Sequence, residues 1–212
     1  MDLTFPGSDG KSMTQTFPLI QQVRAYWEAL RDGAALPPRG AVDPRGLSGA
    51  LEHTFLLERI APGVARFRLA GMHFFDLMGM EVKGMPLSAL VTPASRDRLA
   101  QELGPLFSGR AMLDLWLEAE RGLGLPALKG RMILLPVTGA GGQPDMALGC
   151  LETQGEIGRK PRRFGIAQIV QEPIWQPRPE AAPQPILGLA EPPAAFAPAP
   201  GQPHLRLVHS RK

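Results

Sequence analysis

Asp114, Glu118 and Glu120 recur at even spacing, so a strand through 111–120 would set all three on one face. A carboxylate pair of that kind performs acid–base hydrolysis only where its surroundings drive the two pKa values apart. The flanking residues supply no such asymmetry, and a wet sheet face accounts for all three. His73 stands where a strand hands over to a helix, a place from which an imidazole could hold haem or a metal. Metal sites need several donors, and none lies near it in sequence, so His73 reads as a structural or surface histidine. Cys150 is the one cysteine of the chain, which excludes an internal disulfide and a cysteine cluster. A reactive thiolate would need neighbouring cations, whereas a central strand makes Cys150 a small hydrophobe. Arg66 and Arg68 share one strand face and could anchor an acidic ligand or partner. Gly141-Gly142 and the GLG run at 122–124 lack the strand-to-helix context of a phosphate cradle and read as hairpin turns. No nucleophile, base or metal set emerges: the expectation is a non-enzyme with no metal and no catalytic residue.

The elements that would position these groups follow from periodicity. Leu19, Val23, Tyr26, Trp27 and Leu30 fall at i, i+4, i+7, i+8 and i+11, the stripe of an amphipathic helix. A helix outside a small domain must cover its own sheet or a twin's, and this one is expected to dimerise. Asp43 before Pro44 suits an N-cap. His53 to Ile60 and Val64 to Ala70 read as a hairpin joined through Pro62-Gly63. Helical pieces are expected at 72–78, 86–91 and 94–107, then strands at 111–120, 127–136 and 145–152, the last with Met146, Leu148 and Cys150 on one face. The order predicts an α+β domain: a five-stranded antiparallel sheet with short helices on one face.

Residues 171–203 contain ten prolines, which removes donors and fixes φ too often for a ladder or helix. The reading is therefore a flexible arm over 1–16, a domain over 17–154 and a mostly disordered tail over 155–212. Residues 1–154 carry 15 Lys and Arg against 16 Asp and Glu, and 155–212 carry 8 against 4, so the net +3 sits in the tail. A domain of that balance has no basic face to follow a phosphate backbone, and nucleic acid is not an expected partner. The tail's basic run Arg159 to Arg163 and the apolar island FGIAQIV at 164–170 have the form of a partner-docking segment. No stretch has the roughly 20 apolar residues of a membrane span and the N-terminus lacks a secretory leader, so the cytoplasm is expected.

Trp27, LPPR at 36–39, Asp43-Pro44, RFRLAG at 66–71, Gly79, Gly84-Met85-Pro86-Leu87, Leu90-Val91-Thr92-Pro93, Arg98-Leu99 and RMILLPV at 131–137 come in order at compatible spacing. Together they resemble the PAS domain superfamily, in particular a bacterial group of single-PAS regulatory proteins with a Trp-containing N-terminal helix. The resemblance implies a sensory module that binds a small ligand or partner, dimerises and acts through signalling proteins. Its pocket would be lined by Phe67, Leu69, Phe74, Met78, Leu87, Leu90, Met132, Leu134 and Cys150. The 94–107 helix has no histidine for haem and the chain has no flavin-thiol motif, so no cofactor is expected, although an unidentified small ligand could bind. The alternatives are a ligand-free adaptor that docks partners and, further off, an enzyme on a similar framework.

Overall fold

A computed structural model of the chain describes residues 16–33 and 35–174; the arm before residue 16 and the tail beyond 174 lie outside the described residues. The chain runs α1 (Pro18–Leu30), β1 (Thr54–Ala61), β2 (Val64–Ala70), α2 (Met72–Met78), α3 (Arg96–Phe107), β3 (Ala111–Ala119), β4 (Leu128–Val137), β5 (Met146–Gly155) and β6 (Phe164–Pro173), with single 3₁₀ turns between. The strands form one antiparallel sheet in the order β2-β1-β5-β4-β3-β6. The α+β class and the short helices are as the sequence predicts. Asp43 caps the turn Pro44–Leu47, its carboxylate accepting from the Arg45 N–H at 2.9 Å.

The sheet has six strands where the sequence reading has five, because FGIAQIV is not a loose island. It forms β6 along β3 from Ala111↔Pro173 to Ala119↔Phe164, and Phe164 and Ile166 enter the core. Described structure therefore continues past residue 154, through Ile174. The cause lies in β3, which is apolar on both faces: Leu113, Leu115 and Leu117 meet the helices while Met112 and Trp116 meet α1. Such a strand is central by composition, and β6 covers what would otherwise be an exposed edge.

Each face of the sheet buries its own cluster. Beneath α2, α3 and the turns lie the leucines of β3 with Phe55, Phe67 and Phe74. On the opposite face α1 lays Ile20, Val23 and Trp27 against Ile133, Leu135, Leu148 and Cys150, and the Trp27 indole N–H donates to the Pro136 carbonyl at 2.9 Å. The expected dimer stripe is thus largely used within the chain. Val23 and Trp27 are fully buried, Leu19 and Tyr26 pack at the edge of the same cluster, Leu30 is half-buried, and Tyr26 accepts the Asp43 N–H at its hydroxyl. The α1 face of the sheet is not wet at Asp114 either: its carboxylate, 2% exposed, takes a two-pronged ion pair from Arg131, whose guanidinium lies over Trp116. Glu118 and Glu120 are exposed, so the three acids do not converge.

Candidate functional site

Seven of the nine expected pocket residues do meet between sheet and helices: Phe67, Phe74, Met78, Leu87, Leu90, Met132 and Leu134, none more than 4% exposed. Leu69 and Cys150 do not join them. A β-bulge makes Leu56 face Leu69 while Leu57 faces Phe67, which leaves Arg68 as the extra residue. One added residue reverses the alternation, so Leu69 lies on the α1 side, 54% exposed. Cys150 also faces the α1 side, sharing that face with Leu148 and Met146. There burial pushes its thiol up to about 12 and the nearby Glu152 carboxylate adds to the effect, so it stays protonated and inert.

Three aromatic rings pack together in the space where the sequence suggests a ligand. Phe55, Phe67 and Phe74 form a ring triangle with centroids 5.0, 5.4 and 5.6 Å apart, in the tilted and edge-on geometries that favour aromatic contact. Glycine at 149 is a condition of this packing, since a Cβ there would overlap the Phe55 ring.

An opening lies on the other face. A cleft of about 580 Å³ runs between β1, β2 and the turns at 39–53, with Leu47, Leu56 and Leu148 in its floor and Leu51, Leu69 and Met72 at its rim. Arg39 and Leu69 also line a second cleft of about 450 Å³ with Arg66, Arg68 and Lys83. Arg66 binds the Glu58 carboxylate at 2.8 Å and Arg68 lies 3.6 Å from the same oxygen. The structure therefore keeps the two expected polar anchors together and adds two cations that sequence spacing could not bring near them.

His73 stacks on His53 at 4.2 Å between centroids, and its Nε2 lies 3.0 Å from the Thr153 hydroxyl. Burial lowers its pKa to about 4, with the His53 charge acting the same way and Asp76 opposing. The unfolded chain, with an ordinary imidazole near 6.5, therefore takes up a proton first on acidification. Stability from this group is complete above about pH 6.5 and is lost as the pH falls toward 4. Burial raises the Glu152 pKa, which acts in the opposite sense, so the effect is read as a difference between proteins. Urea unfolding at pH 7 and 4.5 should show wild type losing on the order of 2 kcal/mol more than His73→Gln, after discounting for partial exposure; parallel losses would contradict this. Among the described residues no group of three or more His, Cys, Asp or Glu could hold a metal ion.

Sequence reasoning also missed Arg162. Its side chain is 1% exposed, and its guanidinium donates to the carbonyls of Glu120, Pro126, Glu156 and Ile157. Lys160, from the same basic run, pairs with Asp76 at 3.4 Å and lies over Phe75. Of the run, Arg162 is buried and Lys160 is paired, while Arg159 and Arg163 are exposed.

Comparison with known proteins adds three findings. A family model described as a PAS domain matches residues 16–152. Among solved structures, the chain is similar to that titled crystal structure of Rhodobacter sphaeroides LOV protein, at 19% identity and TM-score 0.36, covering 65% of this chain and 68% of that one. No curated protein matches.

Proposed function

The chain belongs to the PAS domain family, and on that premise we propose that it is a non-enzymatic signalling module of the bacterial cytoplasm that regulates by docking a partner protein on its outer cleft. PAS domains are in general sensory modules, and among the described residues no helix is long and apolar enough to cross a membrane. The observation that carries the reading is a contrast. On the inner face three buried phenylalanines pack ring against ring, while the outer face leaves Leu51, Leu69 and Met72 exposed around a cleft of about 580 Å³. Burying such side chains is favourable at roughly 25 cal/mol per Å² of apolar surface, so leaving several grouped in water suits a surface that is covered in use.

The test places a photo-crosslinking amino acid at Met72 in cells that express the chain. A discrete protein adduct should form, vanish in Leu69→Asp, and be absent when the same probe replaces Leu123, which is 91% exposed and lines none of these clefts. Equal adducts at both positions, or none at Met72, would overturn the reading.

A further inference from the structure

The cleft says more about what covers it, granted that it docks a partner. Leu69 is common to three openings: the apolar one, the cationic one, and a third of about 450 Å³ shared with Met72 and Phe75. Leu51, Leu69, Met72 and Phe75, each between 45% and 62% exposed, therefore form one strip rather than the mouth of a closed chamber. A small ligand is bound by enclosure of most of its surface; an open strip fits an elongated occupant.

Positive charge is concentrated at one end of the strip. Arg39, Arg66, Arg68 and Lys83 line the cationic cleft, and Glu58 is the one carboxylate that pairs with any of them among the described residues. Neither Arg39 nor Lys83 has an ion pair among the described residues. In the apolar openings a carboxylate sits beside a cation, Glu52 with Arg39 and Glu81 with Lys83, whereas the cationic cleft has no carboxylate in its lining, so acidic groups on an occupant are favoured most at that end. The arginines are about half exposed, which suits an interface rim that steers and orients rather than a grip on a small anion.

Backbone geometry limits the shape of the occupant. β2 is an edge strand, but at its middle the Phe67 N–H donates to the Met85 carbonyl at 2.9 Å and the Phe67 carbonyl accepts from Gly84 at 2.8 Å. Strand addition along β2 is thereby blocked, and contact must be made through side chains, as an amphipathic helix makes it. We propose that this face docks a partner's amphipathic helix, with apolar anchors between Leu51, Leu69 and Met72 and a cluster of acidic residues at one end over Arg39, Arg68 and Lys83.

The experiment selects a random peptide library displayed on phage against the full chain, with Leu69→Asp as the counter-target. Enriched peptides should carry apolar residues at i, i+3 or i+4 spacing and Asp or Glu gathered at one end. Anisotropy titration of a synthesised peptide should show affinity falling about tenfold for Arg39→Glu with Lys83→Glu, binding lost in Leu69→Asp, and weakening with salt. All three positions are on the surface, and circular dichroism of the variants checks their fold. Enriched peptides that are basic or neutral, affinity indifferent to the charge reversals, or saturable binding of dodecanoate with no peptide enriched would each overturn the proposal. A Met72 adduct that persists alongside indifference to charge reversal removes the acidic helix and leaves partner docking standing; absence of the adduct removes both.

Discussion

Arg162→Met should unfold the chain at markedly lower urea, with a loss of about 2–4 kcal/mol, although it removes a charge that has no carboxylate partner. The expectation follows from what the guanidinium does. It satisfies carbonyls of Glu120 and Pro126 on one side and of Glu156 and Ile157 on the other, while the backbone N–H of Arg162, which the substitution keeps, donates to the Leu77 carbonyl. Methionine matches the volume, so packing alone changes little. Four carbonyls, however, lose their guanidinium donors, and an unmet buried acceptor costs on the order of 1–3 kcal/mol. Arg162→Lys should fall between, because an ammonium cannot span both pairs. Equal midpoints for Arg162→Met and wild type would show that water serves these carbonyls as well as the side chain does.

Phe74→Ala should cost about 3–5 kcal/mol, the range for emptying a packed aromatic site. Phe74 is fully buried, with Phe55 and Phe67 at 5.0 and 5.6 Å, so two rings lose a face at once. The void would be apolar and dry, and should take up xenon or benzene that wild type does not bind. Phe74→Leu, which leaves most of the volume filled, should cost about 1–2 kcal/mol and bind neither probe. A loss below about 1 kcal/mol for Phe74→Ala would mean that the ring borders an existing chamber rather than closing one.

What could be read in the residues divides along physical lines. The hairpin at Pro62-Gly63, the helix from Met72 to Met78 and the last three strands of the five expected come from local periodicity and turn chemistry, and they stand where sequence places them within a few residues. Leu69 escaped because a bulge at Arg68 is set by pairing with β1, which no feature of β2 alone announces. β6 had a signal that proline density drowned: β3 is apolar on both faces, and a strand of that kind needs a neighbour on each side. Arg162 had none. Four of its partners come from segments up to 42 residues away, so in sequence it is one more cation in a basic run. The candidate site was legible in its pieces, Arg66 with Arg68 and an apolar strand, but not in their assembly, because Arg39 and Lys83 reach the same cleft only through the fold.

Native mass spectrometry of the full chain purified gently from its own cells, beside Leu69→Asp, is the most direct measurement. Recognition on the outer face predicts wild type carrying a second polypeptide and no small-molecule mass, with the polypeptide lost in Leu69→Asp. A stoichiometric small molecule retained by both proteins would contradict it, since that mass would have to sit where the three phenylalanines now meet.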